Sequence, residues 1–569
     1  MLIEVGLVLI AILLAFRFPR LCAGWFSAAE RGFAALARRQ RLSVLVVMFA
    51  ALGARALIFP VLPEPQPSIN DEFSYLLAAD TFAHGHVTNP AHPMWVHFET
   101  FHVIQQPSYA SMYPPAQGLI LALGQVITGH PFVGVWLSMA LLCAAICWML
   151  QGWLPPSWAL LGGMLAVIRL GSFSYWANSY WGGAVAATGG ALLLGALPRI
   201  KRSQHPGDAL LMGLGLAILA NSRPYEGLIL SLPVAIALLI WMLQRDRSPS
   251  HVLIPRVLLP LVLVVAATAA GMGYYFWRVT GSPFRMPYQV DRAAYAVAPY
   301  FLWQSPRPQP VYHHQGMQDF YLHNELDFYK RTHSITGAVA LTTVKAVNSW
   351  VLYLGPVLTL PFIMIIVIVS PGLSWTTIRR QTRFLLVAGA ASFAGLAAEV
   401  FFLPHYAAPM ACLILALVLI AMRRLRRWQW KGMPTGLFLC RAVPAICLAM
   451  LVLRTAAAPL HLPLTPDWPP TWYNSTSVRT DRARILEQLE ASPGKHLVIV
   501  CYKPHSKGRY DWVYNKSEID HAKVVWARDM GAARNQELVN YFRDRRIWMV
   551  EPDEEPPQLS PYLAQPSGP

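Results

Sequence analysis

The chain is a succession of apolar runs, each roughly 17 to 22 residues long, separated by short clusters of Lys and Arg. A run of that length crosses the roughly 30 Å hydrocarbon layer as a helix, and a backbone in lipid has to satisfy its own hydrogen bonds. The sequence therefore specifies a mainly α, polytopic bundle of transmembrane helices. Composition agrees: of 569 residues, 55% are hydrophobic and 13% charged. The mean hydropathy of +0.39 lies beyond that of soluble domains. Spans are expected near 2–16, 42–60, 131–151, 155–171, 182–198, 208–222, 226–243, 256–277, 350–370, 384–402, 406–422 and 436–457, about eleven or twelve in all.

The formal charge of +17 is unevenly placed. Residues 458–569 hold 14 Lys+Arg and 14 Asp+Glu, so the excess belongs to the membrane half. Five connections, "RFPRLCAGWFSAAERGFAALARRQR", "RIKRSQ", "QRDRSPSHVLIPR", "TIRRQTR" and "RRLRRWQWKG", carry 20 Lys+Arg, whereas the loop from Val61 to Pro115 carries none. Basic clusters between apolar runs encode topology under the positive-inside rule and do not form a nucleic-acid surface. The basic side is then cytoplasmic, in a multi-pass membrane protein. The loops 61–130 and 281–349 and the C-terminal region are expected to face outward, into a periplasm or its equivalent.

Six of seven cysteines lie in apolar segments, with no disulfide framework and no paired CxxC spacing. The N-terminus has no basic n-region and reads as a retained span, followed by an amphipathic helix, Arg20 to Arg41, on the inner surface. Together these make a segment 1–41, ahead of a transmembrane domain at 42–457. A Pro-rich linker at 458–475 leads to a small α/β domain at 476–569. In that domain "VRTDRARILEQLEAS" and "NQELVNYFRD" have helical spacing, while "HLVIVCY", "KVVWARDM" and "RRIWMVEPD" read as strands. It has no glycine-rich phosphate loop or nucleophile elbow, which suits docking or acceptor binding better than a second reaction. Its "NST" and "NKS" triplets, at Asn474 and Asn515, are short patterns that occur by chance.

Chemistry concentrates on the outward face. Asp71 and Glu72 stand in "SINDEFSYLLAADTFAHGH", in a loop devoid of Lys and Arg. An acidic pair outside a span is in many chains only a solvated loop feature. Here Phe73, Leu76, Leu77, Ala79 and Phe82 follow at helical spacing, which lays the segment along the membrane interface. A second interfacial helix, "YPPAQGLILALGQVITG", starts at Tyr113 with a double proline. Between the two stand His84, His86, His92, His97, Glu99 and His102. Spans ending on the same side add Arg223 and Glu226 in "ANSRPYEG", and Glu399, His405 and Tyr406 in "AAEVFFLPHYAAP". Ionisable residues at membrane depth are expensive and point to function. A carboxylate opposed by Arg and His can deprotonate a hydroxyl while neutralising a phosphate leaving group.

The order and sidedness of these motifs resemble the GT-C glycosyltransferases, over roughly residues 42 to 425. The nearest branch contains the protein O-mannosyltransferases, the aminoarabinose transferase and the polyprenyl-phosphate-dependent sugar transferases. The resemblance implies inverting transfer of a sugar from a polyprenyl-phosphate donor to an envelope acceptor. Asp71 would be the general base and Glu72 a supporting carboxylate or sugar contact. Arg223 would hold the lipid phosphate, with Glu226 beside it, and His405 and Tyr406 would line the same pocket. Glu99, His102 and Tyr113 would complete the substrate-binding set. Tyr113 stands where the aminoarabinose enzyme has lysine, so that phosphate contact is absent or passes to another residue, with His102 and Arg285 as candidates.

No cofactor is required by this reading, although the histidines permit a divalent metal, for instance His84 and His86 with Asp80 or Glu99. The aromatic and polar stretch "VYHHQGMQDFYLHNELDFYKR" suits either carbohydrate stacking or packing over the first loop. Two rivals remain open. A transporter or flippase of lipid-linked sugars would need midplane charges and related halves, and an assembly or sensor protein would tolerate substitution of the acidic pair.

Overall fold

A computed structural model describes residues 1–244, 250–369, 375–376, 378–462, 470–475, 480–503 and 511–562. Parts of the basic connections 244–256 and 377–383, of the linker and of the C-terminal end lie outside the described residues.

Helices form at every expected span: Leu2–Arg17, Gln40–Ile58, Phe132–Trp153, Pro156–Arg169, Ala184–Ser203, Pro206–Ala220, Pro224–Leu243, Ile254–Thr280, Ile335–Val367, Arg380–Ala398, Pro404–Leu425 and Thr435–Ala457. Among the described residues, eight are long and apolar enough to cross a membrane. Leu2–Arg17, Pro156–Arg169 and Pro206–Ala220 are shorter, and Ala184–Ser203 ends on Arg199, Lys201 and Arg202. The protein is thus a multi-pass membrane protein. One boundary differs from expectation. The helix expected at 350–370 begins at Ile335, where the Ser334 hydroxyl accepts the Gly337 amide at 3.0 Å. Lys345 masked this in the sequence. It is fully buried, and its ammonium donates to the carbonyls of Leu396, at 2.7 Å, and Glu399.

On the basic side, the helix Ala23–Arg38 is held by Glu30, which accepts from Arg426 and Arg441 at 2.9 to 3.0 Å. On the other side the loop after Ile58 folds into two helices, Asn70–Ala83 and Pro115–Thr128, as their spacing predicts. Gly124 packs on Gly134 so closely that a Cβ would stand 2.2 Å from the Gly134 amide, which lets Pro115–Thr128 lie against the Phe132–Trp153 span. Between the two helices runs a small antiparallel sheet of β1 (Asn89–Pro90), β2 (Val103–Ile104) and β3 (Ser108–Ser111), in the order β1-β3-β2 with Asn89 opposite Tyr109 and Val103 opposite Ser111. The segment 281–334 covers it. Tyr295, Met317 and Tyr321 make one core with Phe101, so these aromatics serve packing.

The C-terminal domain carries β4 (Lys495–Val500), β5 (Val524–Arg528), β6 (Arg545–Val550) and β7 (Leu559–Pro561), in the order β5-β4-β6-β7 with the first three parallel. Helices Asp481–Ala491 and Ala532–Tyr541 accompany them. This domain has no separate existence from the loop. Phe73, Leu77, Phe98 and Tyr109 share one apolar core with Leu497, Tyr514, Val525 and Phe542. Polar ties reinforce the junction: Asp80 accepts from the Ser517 amide and hydroxyl at 2.8 and 2.6 Å, and His92 meets Asp520 at 2.9 Å.

Candidate functional site

Asp71 lies in the first turn of Asn70–Ala83, and its neighbour explains why that helix starts there. Glu72 Oε2 accepts the amides of Ser68 and Ile69 at 2.9 and 3.3 Å, which closes the free N–H groups of the helix start. Glu72 Oε1 accepts the Tyr180 amide at 3.0 Å and so ties this helix to the turn "YWGG". Glu72, expected as a sugar contact or supporting carboxylate, is buried with both oxygens engaged by backbone, which fixes the helix start that carries Asp71. Successive residues on a helix point about 100° apart, so only Asp71 faces the open side.

Burial drives the Glu72 carboxyl up from 4.5 to about 7, against the pull of the Ser68, Tyr180 and Ile69 amides. The folded state therefore binds a proton that the unfolded state has released. The associated stability is fully present below 4.5 and lost as pH rises through about 7. Thermal unfolding followed between about pH 5 and 8 is expected to give a falling midpoint in the wild type and a smaller slope in Glu72→Gln.

Asp71 keeps 23% of its side-chain surface exposed. The Tyr113 hydroxyl donates to Asp71 Oδ1 through a short hydrogen bond, and His102 Nδ1 lies 3.1 Å from the same hydroxyl and 3.8 Å from Asp71 Oδ2. Burial first, then the charge of Asp71, raises the Tyr113 phenol well above 10, so it stays protonated and donates. Tyr75 stacks on Tyr113 with ring centres 4.4 Å apart, and Tyr288 of the covering loop meets it edge-on at 5.6 Å.

Behind Tyr75 a small cleft is lined by Pro114, Gln117, Gly182, Gly183, Ser222 and Arg223. Arg223 precedes the span Pro224–Leu243 and spreads over the Tyr406 ring at 4.0 Å, with Glu226 3.5 Å away. Gly182 is required there, since a Cβ would meet the Trp176 backbone at 2.6 Å. Tyr75 thus joins the two parts of the site, stacking on Tyr113, which bonds Asp71, and lining the cleft that holds Arg223.

The other expected residues fall into place around this centre. His405 is buried one layer behind Tyr406, with Nδ1 3.0 Å from the Tyr175 hydroxyl. Arg285 is exposed, and His102 belongs to Asp71. Glu99 is remote from the cleft in its bonding. It accepts from Tyr295 at 3.0 Å and meets His313 and His314 at 2.9 and 3.3 Å. Burial raises its carboxyl, but His314 and His313 outweigh this and hold it below the usual value. Among the described residues no three His, Cys, Asp or Glu side chains gather as metal ligands. His84 Nδ1 turns to the Asp80 carbonyl at 2.8 Å, and His86 is exposed.

No protein family and no curated protein matches the sequence. Among solved structures the chain is similar to ArnT from Cupriavidus metallidurans in the apo state, at 13% identity over 93% of each chain with a TM-score of 0.48. The same protein bound to undecaprenyl phosphate gives 13% identity over 93% of each chain and a TM-score of 0.44. An Archaeoglobus fulgidus oligosaccharyltransferase tethered with an acceptor peptide is similar at 10% identity, over 90% of this chain and 69% of that one, with a TM-score of 0.42.

Sequence reasoning missed Tyr75, Gln117, Ser222 and the Gly182–Gly183 turn. Two signals were available: Ser222 adjoins the Arg223 turn, and "YWGG" pairs glycines with aromatics at the loop end of a span.

Proposed function

We propose that this protein is an inverting glycosyltransferase of the GT-C type, moving a hexosyl or pentosyl group from a polyprenyl-phosphate donor to an envelope acceptor. The acceptor is a hydroxyl of a glycan, lipid or protein, and the reaction takes place at the outer face of a bacterial cytoplasmic membrane. The observation that carries this reading is that Tyr75 stacks on Tyr113, which bonds Asp71, and lines one cleft with Arg223, itself spread on Tyr406. In this reading Asp71 takes the acceptor proton as the acceptor oxygen bonds to the anomeric carbon. The bond from that carbon to the phosphate oxygen breaks, and Arg223 meets the charge left on the lipid phosphate. The prenyl tail stays in the bilayer throughout, so no nucleotide has to cross.

The test is label transfer from a panel of radiolabelled polyprenyl-phosphate sugars to membrane extract by the purified protein. Transfer of one donor's label is the expected result. Movement of labelled lipid between leaflets without transfer would replace the reading with a transporter. Arg223→Gln removes a charge-assisted contact worth about 1.5–3 kcal/mol. It is expected to raise the KM for the donor roughly ten- to a hundredfold, measured over a donor titration, with the KM for the acceptor little changed.

A further inference from the structure

His102 adopts a left-handed backbone conformation, φ +63°, which is costly for a residue with a side chain and persists only where the surroundings impose it. Here a chain of buried hydroxyls imposes it. The His102 carbonyl extends the β2–β3 pairing by accepting the Met112 amide at 3.2 Å, and it also accepts the Ser74 hydroxyl at 2.7 Å. The single Ser74 proton goes to that carbonyl, so Ser111 is the donor where the two serine oxygens stand 2.7 Å apart. The Tyr113 amide donates in turn to the Ser111 oxygen at 3.1 Å. Ser74 and Ser111 are 0% and 2% exposed, and each hydroxyl both donates and accepts. A buried network satisfied at every member holds its parts in one arrangement.

This network meets the candidate base from behind. Ser74 stands one turn after Asp71 in Asn70–Ala83, on the same face of the helix. His102 Nδ1 lies 3.1 Å from the Tyr113 hydroxyl and 3.8 Å from Asp71 Oδ2. The Tyr113 proton goes to Asp71, so at the 3.1 Å contact the imidazole donates. The helix is tied to the sheet a second time away from Asp71, where Asn89 Nδ2 donates to the Thr81 hydroxyl at 2.8 Å and to the Tyr109 carbonyl at 3.1 Å. That second tie touches neither His102 nor Tyr113.

We propose that Ser74 is a positioning residue of the Asp71 site: its hydroxyl, braced by Ser111, pins the His102 turn to the helix that carries Asp71, so that the imidazole Nδ1–H holds Tyr113 and Tyr113 fixes the carboxylate. The consequence for rate rests on the transferase reading above, whereas the hold on His102 does not.

Two measurements test the proposal. The first reads the His102 ring by nitrogen NMR on protein labelled at its histidine nitrogens, at about pH 8.5, where an ordinary imidazole is neutral. Loss of the signal in His102→Gln identifies it. Wild type is expected to show a protonated Nδ1, and Ser74→Ala the Nε2–H form that an unconstrained imidazole favours. Alanine keeps the helix. Should that variant nevertheless fail to fold, Ser111→Ala breaks the same chain from the sheet side. Thr81→Val cuts the other tie and is expected to lower the thermal midpoint with the ring signal as in wild type. An unmoved signal in Ser74→Ala, or the same move in Thr81→Val, would overturn the proposal. In the second measurement, Ser74→Ala and His102→Gln are each expected to lower kcat roughly tenfold with donor KM unchanged, and the double variant no further, with partial recovery in Ser74→Thr. Additive losses would also overturn it. A moved ring signal in a protein that transfers no sugar would leave the hold on His102 standing and defeat the transferase reading alone.

Discussion

Asp71→Asn is expected to lower the transfer rate by on the order of a hundredfold or more, with the donor KM and the thermal midpoint unchanged. Asparagine keeps the carbonyl oxygen that Tyr113 bonds, so the Tyr75–Tyr113 stack and the helix start survive the change. What disappears is the oxygen able to accept a proton. Steady-state kinetics on wild type and variant, matched for folded protein by size-exclusion, make the comparison. A variant that retains wild-type turnover would end the assignment of Asp71 as the base. A variant with a lowered midpoint would point to a structural role like that of Glu72.

The second large effect concerns stability. Arg528 reaches from β5 into the loop, donating to the Glu99 carbonyl at 2.6 Å and to Asp511, under the Tyr502 ring. Asp511 in turn accepts from Thr100 at 2.7 Å and Tyr502 at 2.5 Å. Both members of the pair are buried, and removing one leaves the other charged in an apolar junction. Arg528→Met is therefore expected to cost about 3–5 kcal/mol. Protease cleavage of the linker and faster hydrogen exchange in β2 and β3 would report release of the C-terminal domain. Replacing Asp511 as well, with Leu, is expected to recover part of the loss, because the stranded charge is then gone. If Arg528→Met matches wild type in both assays, the ion pair does not hold the junction.

Much of this architecture was legible in the sequence because lipid leaves a backbone few choices. Apolar runs gave the spans, the Lys and Arg clusters their order, and Tyr113 with its double proline marked the second interfacial helix. What stayed hidden depends on contacts between distant residues. Asp71 and Glu72 look alike as letters, and only the turn of a helix sends one to the Tyr113 hydroxyl and the other to the Tyr180 amide. Lys345 reads as a break in an apolar run until its buried carbonyl partners are known. Strands of two to four residues, as in β1 to β3, are too short to show a period.

The shared core of Phe73 and Tyr514 also sets a schedule for the protein's making. Asp80 and its partner Ser517 are separated by 437 positions. At about 5–20 residues per second, the ribosome finishes the Asp71 loop tens of seconds before it delivers the side chains that fill the loop's apolar face. During that interval Phe73, Leu77 and Phe98 lack their companions. The core beneath the Asp71 loop is therefore completed last, when the far end of the chain has folded against it.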